Sequence, residues 1–341
     1  MIRRYYILVL TLILVAITAS IGCMQGRTLL STPNQVHHSP SIIDKSLSKD
    51  NVPGTQKPSP DQPPDELPLI MLRFGVPELD VRYGIADGIE LKMDLYYPKK
   101  SSGKLPVVIY VHGGGWTKGD KRSGAGFVPL SELLARGYMV VSIDYRLAPE
   151  YKFPAQIEDV KCAVCFLKRE KEKYNIDPER IGAIGGSAGG HLVSLLGTTD
   201  MGAGFDSPGC CTGLSSRVNA IVDLFGPSDI TTQFKNQSPT ALQQIFNTGD
   251  RFSQIAIKAS PITYITSDDP PFLILHGDKD TVVPLEQSEM LYNKLIEAHV
   301  PAKLVVVKNA AHGFRQEGGP ISPGWFQISS TIADFFDRYL K

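Results

Sequence analysis

Between Val107 and Val307 the chain returns six times to a short, near-continuous apolar run: from Val107 to Val111, Val140 to Ile143, Ile181 to Ile184, Ala220 to Leu224, Phe272 to Leu275 and Lys303 to Val307. A strand that is apolar at nearly every position is buried on both faces, and sheets covered on both faces are mostly parallel, with helices as their crossovers. Helix-like stretches separate the runs. Ahead of them, the segments from Asp80 to Tyr83 and from Glu90 to Tyr97 read as an opening pair of strands, the second alternating through Leu91, Met93 and Leu95. The expectation is an α/β fold with a mostly parallel central sheet of about eight strands, helices on both faces and a single continuous core.

Such sheets place their ligands beyond the carboxyl ends of the strands. The residues with chemistry to offer collect there: His112-Gly113-Gly114-Gly115-Trp116, Asp144-Tyr145-Arg146, Ser187, His276-Gly277-Asp278-Lys279-Asp280 and His312. Ser187 stands in Gly185-Gly186-Ser187-Ala188-Gly189-Gly190, a G-x-S-x-G pattern between an apolar run and a helix-like stretch. That order reads as strand, sharp turn, helix, with the hydroxyl pushed into the open. A serine hydroxyl is a weak nucleophile, so the turn acquires chemical meaning only with a base, an orienting carboxylate and donors for a developing oxyanion. The three consecutive glycines after His112 offer amides free of side chains, and Ala188 offers the amide directly after the serine.

The run from His112 to Trp116, the segment from Asp144 through Glu150 to Ala155, and Gly185 to Gly190 together resemble the motif set of the hormone-sensitive-lipase-like branch of the α/β-hydrolases. The chain is also similar to the bacterial feruloyl and acetyl xylan esterase group within that fold. The resemblance implies a serine ester hydrolase: Ser187 as nucleophile, Gly114, Gly115 and Ala188 as oxyanion donors, and His312 as base. In the stretch from His276 to Pro284 it selects Asp280 as the triad carboxylate and leaves Asp278 as a turn residue. It requires no metal and no cofactor. His112 and Gly113 hold the oxyanion loop in shape, and Asp144, Arg146 and Glu150 form a buried polar network beneath it. Gly186 stands where the lipase-like branch commonly carries an acidic residue, which leans toward acetylated or feruloylated carbohydrate esters. An amidase or peptidase, and a catalytically silent binding protein, are the alternatives.

Around this folded part, expected over 76–341, the signals are of other kinds. Arg3 and Arg4 precede an apolar run, and Ser20-Ile21-Gly22-Cys23 resembles a lipoprotein processing site. Residues 1–23 therefore read as an export signal or membrane anchor, with Cys23 as the lipidation candidate. Residues 24–75, rich in Ser, Pro, Asn and Gln, read as a linker, and the pair His37 and His38 as plain linker residues. The expected location is outside the cytoplasm, tethered to a membrane or secreted. Equal numbers of basic and acidic residues, 35 of each, give no argument for nucleic acid as a partner. Cys162 and Cys165 read as core packing in a helix, and Cys210 and Cys211 as loop cysteines of unassigned pairing. The charge run from Lys168 to Lys173 reads as the solvated face of a helix ending near Asn175. The stretch from Asp229 to Asp269 reads either as a small cap or as a surface excursion.

Overall fold

Every apolar run lies in a strand of the structure, a computed structural model that describes residues 75–341 apart from 101–102, 124–127, 207–208 and 235–238. The strands are β1 (Glu78–Ala86), β2 (Ile89–Tyr96), β3 (Leu105–Val111), β4 (Met139–Ile143), β5 (Ile176–Gly186), β6 (Ala220–Leu224), β7 (Phe272–Gly277) and β8 (Ala302–Val307). They form one eight-stranded sheet in the order β1-β2-β4-β3-β5-β6-β7-β8. β2 is antiparallel to both β1 and β4, and every other pairing is parallel. The expected export segment over 1–23 with Cys23, and the linker as far as 74, lie outside the described residues. Among the described residues no helix is long and apolar enough to cross a membrane.

The helices are α1 (Val128–Ala135), α2 (Ala155–Arg169), α3 (Ala188–Thr198), α4 (Ile230–Gln233), α5 (Pro239–Phe246), α6 (Gln254–Lys258), α7 (Glu286–Glu297) and α8 (Trp325–Leu340). They divide the core into two layers. Val107, Ile109 and Val111 of β3 pack with residues of α2, α3 and α7, whereas Val108 and Tyr110 pack with residues of α1 and α8. The alternation follows from the pleat, which sends successive side chains to opposite faces. Because both faces are covered, no position of β3 can be polar without a partner.

Three expectations need correction. The cysteines are not free packing residues: Cys162 pairs with Cys210 and Cys165 with Cys211. Three residues apart on α2, the first two share one helical face, and the adjacent loop cysteines meet them there. Second, α2 ends at Arg169, and residues 170–175 are turn, so the charge run is only briefly helical. Lys168 is half-buried, its ammonium donating to the carbonyls of Ser215 and Arg217 at 2.9 and 2.6 Å. Third, Glu150 is exposed, so it does not belong to a buried network.

The segment from Asp229 to Asp269 packs behind the loop that follows β3. Its Phe246 ring lies 5.3 Å from Trp116 and 5.8 Å from Phe153, and the Ile245 carbonyl accepts from the Phe153 amide at 2.9 Å. Truncating a buried aromatic of this kind to alanine costs about 3–5 kcal/mol. At the centre is His191 of α3, fully buried. Its Nε2 lies 2.7 Å from the Ala259 carbonyl, which only accepts, so Nε2 carries the proton and Nδ1 accepts from the Trp116 indole at 3.1 Å. One neutral imidazole thus ties α3, the segment after α6 and the loop after β3 together.

Burial, opposed by the hydrogen bond to Ala259, pushes the His191 imidazole down to about 4 from an ordinary 6.5. A depressed histidine contributes stability that is fully present above the unfolded value and lost as pH falls toward the folded one, here between 6.5 and about 4. At about 1.4 kcal/mol for each pH unit this amounts to about 3 kcal/mol. Thermal unfolding of wild type and His191→Gln across that window should show a steeper loss of stability on acidification in the wild type. Parallel curves would mean that His191 is not buried as the neutral form.

Candidate active site

β5 ends at Gly186 and α3 begins at Ala188, so Ser187 alone makes the turn between them. Its φ of 56° and ψ of −119° are strained for a residue with a side chain, a conformation that costs about 1–3 kcal/mol and persists only where the surroundings over-determine it. Two hydrogen bonds do so: the Ser187 amide donates to Leu224 O at 2.9 Å, and Ser187 O accepts from the His191 amide at 3.0 Å. Close approach of α3 to β3 depends on Gly189, because a Cβ there would overlap the Val111 carbonyl oxygen and lie 2.7 Å from that of His112. Trp116, Phe225 and Phe314 also have positive φ, as do Asp80, Asp87, Asn175, Asn247, His299 and Asn309 elsewhere in the chain.

His312 stands in a short turn after β8, its Nε2 3.0 Å from Ser187 Oγ and its Nδ1 2.7 Å from Asp280 Oδ2. A carboxylate only accepts, so the proton sits on Nδ1 and the Nε2 lone pair faces the serine hydroxyl. The other oxygen of Asp280 accepts from the amides of Val282 and Val283, both at 2.9 Å. Burial pushes the Asp280 carboxyl up, but hydrogen bonds from His276 and His312, with the Val283 amide, outweigh it and hold the group well below the usual carboxylate range. These partners favour the carboxylate form of the side chain. A weakly acidic serine hydroxyl, an imidazole with its lone pair free and a fixed anion behind it can pass a proton from oxygen to nitrogen and back.

Sequence reasoning did not foresee the part of His276. Fully buried, it donates from Nε2 to Val283 O at 2.8 Å and accepts at Nδ1 from the Ser288 hydroxyl at 2.7 Å. The same Nε2 is 3.4 Å from Asp280 Oδ2, so two histidines flank one carboxylate. Asp278 is turned elsewhere, accepting a long 3.4 Å bond from the Ala310 amide. The spacing from His276 to Asp280 carried the only sequence signal for this arrangement.

The loop from His112 to Trp116 presses against the elbow. A Cβ on Gly113 would lie 2.9 Å from the Gly186 carbonyl oxygen, and Gly114, at φ +114°, would strike the Lys118 carbonyl. Gly113 and Gly114 border the same cavity as Ser187, while Gly115 is exposed one step further out. Ala188 is the first residue of α3, where helical geometry leaves the amide without an intrahelical acceptor. His112 donates from Nδ1 to Gly113 O at 2.7 Å and stacks on Tyr145 at 4.2 Å, and the Tyr145 hydroxyl donates to His112 O at 3.0 Å.

Asp144 and Arg146 serve two separate networks. Asp144 accepts from the Lys121 amide and ammonium at 2.7 and 3.0 Å, fixing the turns that continue the loop. Arg146 is clamped by Asp159 at 2.7 Å, with Asp87 and Glu158 on its other edges. Glu150 takes part in neither ion-pair set. Two residues past Arg146, the Ala148 amide donates to Trp116 O at 2.9 Å, which links the second network to the loop.

The Ser187 cavity has a volume of about 400 Å³ and is walled by Tyr110, Phe225, Lys118, Ser123 and the glycines 113, 114, 119, 186 and 313. A larger one, about 550 Å³, lies at the opposite ends of β7 and β8 among Phe272, Ala302 and Arg338. It holds none of the residues just described. Among the described residues no cluster could hold a metal ion.

Comparison with known proteins fits this geometry. The BD-FAE family model matches residues 93–295. Esterase LipC of Mycobacterium tuberculosis is 32% identical over 264 residues, covering 75% of this chain and 64% of LipC. The chain spans 46% to 64% of the length of this and two other mycobacterial relatives. A solved carbohydrate esterase from gut microbiota, in truncated form, aligns with a TM-score of 0.68 and 31% identity over 78% of this chain and 96% of its own. A bifunctional GH43-CE protein of Bacteroides eggerthii aligns at 0.66 with 32% identity, over 77% of this chain and 38% of its own. A family match across residues 93–295, on a sheet of this order with a serine at its elbow, makes the chain a member of the BD-FAE family and an α/β-hydrolase of the hormone-sensitive-lipase-like kind.

Proposed function

We propose that the chain hydrolyses carboxylic esters through an acyl-enzyme. His312 Nε2 takes the Ser187 proton as Oγ attacks the ester carbonyl, and the resulting oxyanion is held by the amides of Gly114, Gly115 and Ala188. Collapse expels the alcohol, which receives its proton from His312. Water then repeats the sequence on the acyl-serine, regenerating Ser187 and releasing the acid. Asp280 fixes the imidazole tautomer and stabilises its charged form. The observation that carries this reading is the continuous contact of Ser187 Oγ, His312 and Asp280 at 3.0 and 2.7 Å.

The cavity, at the small end of the roughly 300–1,000 Å³ usual for ligand sites, suits short acyl groups, and the similarity to a solved carbohydrate esterase supports acetylated or feruloylated carbohydrate as the substrate class. For the location, export is the reading. Two disulfides in one small region form and persist in oxidising compartments, and this supports residues 1–23 as an export signal; lipidation of Cys23 and a tethering role for the linker rest on the sequence pattern alone.

Three outcomes test the proposal. Ser187→Ala should lose fluorophosphonate labelling and at least about a thousandfold in hydrolysis of p-nitrophenyl acetate, and labelling that survives would put the nucleophile elsewhere. Across an acyl series, kcat/KM should fall from acetyl and butyryl toward long chains, whereas a maximum at long chains would contradict the short-acyl assignment. Thiol titration of protein recovered from the exported fraction and unfolded without reductant should find Cys162, Cys165, Cys210 and Cys211 unreactive; four reactive thiols would count against an oxidising location.

A further inference from the structure

The turns after the loop from His112 to Trp116 carry three cations, Lys118, Lys121 and Arg122, in unlike surroundings. Lys121 is nearly buried between Asp80 at 2.8 Å and Asp144 at 3.0 Å. Arg122 is held by Asp80 at 3.0 Å and Asp94 at 2.8 Å. Lys118 alone of the three borders the Ser187 cavity, and among the described residues it has no carboxylate within ion-pair distance. The nearest acid in the chain, Asp120, is already engaged by the Arg122 amide at 2.8 Å and the Ser123 hydroxyl at 3.0 Å.

The position of Lys118 is also constrained. Its amide donates to Gly114 O at 3.2 Å, and its Cγ would lie 3.3 Å from a Cβ on Gly114. The first part of the stem therefore lies beside Gly114, and the exposed side chain is part of the cavity wall. None of the other described lining residues is charged. A concave site with apolar walls and a single sign of charge focuses its field on whatever enters.

We propose that Lys118 makes the Ser187 cavity a subsite for esters that bear a carboxylate, on the acyl or the alcohol side of the scissile bond. This rests on the ester-hydrolase reading above and narrows its substrate class to acidic esters. The ammonium pairs with the substrate anion while the carbonyl lies against Ser187, an interaction weakened by salt because the rim is open to water.

The test uses two matched pairs: monoethyl against diethyl succinate for an anion on the acyl side, and 4-acetoxybenzoate against its methyl ester for one on the alcohol side. Lys118→Met keeps the stem and removes the charge. It should lower kcat/KM for the anionic member of one pair about tenfold, leave both neutral members within twofold, and abolish the effect of 0.5 M NaCl on that pair's selectivity. The pair that responds identifies the side on which the anion sits. An unchanged anionic-to-neutral ratio in both pairs would overturn the proposal. So would an equal fall for all four esters, since that marks Lys118 as a packing residue for Gly114. Failure of the wild type on every ester, together with absent fluorophosphonate labelling, would remove the hydrolase reading itself.

Discussion

The backbone of β3 and the first turn of α3 touch without a side chain between them, and the site depends on that contact. With glycine at 189, the carbonyls of Val111 and His112 come down onto the helix, and the loop beginning at His112 starts within reach of Ser187. A methyl group there would separate Ser187 from the glycines of that loop, the proposed oxyanion donors, by the width of the displacement. Positioning errors of that order are costly, because acyl transfer depends on donors set where charge develops rather than where the ground-state oxygen lies.

Around this contact the protein builds rigidity from unlike materials. On one side a neutral His191 joins Trp116 to the Ala259 carbonyl, and Phe234 and Phe246 complete the apolar packing. On the other, Tyr145 stacks on His112, and Lys121 and Arg146 are fixed by carboxylates. Buried ion pairs of the second kind add little net stability relative to apolar packing, but loss of one partner strands a charge, so they fix geometry firmly. Asp280 follows the same logic, with both oxygens occupied by donors from its own turn and from two histidines.

Much of this was readable in the chain because it rests on local pattern. Runs such as Val107 to Val111 announce a doubly covered strand, and Ser187 between a strand and a helix announces an elbow. The order of Ser187, Asp280 and His312 along the chain placed all three at strand ends, where the structure brings them together. What escaped rests on partners distant in sequence. Cys162 and Cys210 are 48 residues apart, and nothing near either one names the other. Lys168 looked solvated because its acceptors are backbone carbonyls at Ser215 and Arg217, invisible to charge patterning. The stretch from Asp229 to Asp269 seemed undecided between cap and excursion because its role lies in which apolar residues meet Trp116, and periodicity does not encode that.

The glycine content of the cavity wall bears on how such a site can diverge. Half of its ten lining residues are glycines: Gly113, Gly114, Gly119, Gly186 and Gly313. Adding a side chain at Gly113, Gly114 or Gly119 sends it into backbone or the ring of His112 rather than into free volume, at Gly186 it would press on the Phe225 ring at 3.3 Å, and at Gly313 there is space but a left-handed φ of 71°. Point substitution therefore has few positions from which to reshape the pocket without disturbing the loop after β3. Divergence in substrate range falls most easily on Tyr110, Lys118, Ser123 and Phe225, or on the length of the turns that follow that loop. The architecture conserves its chemistry by leaving selection little side-chain surface to alter.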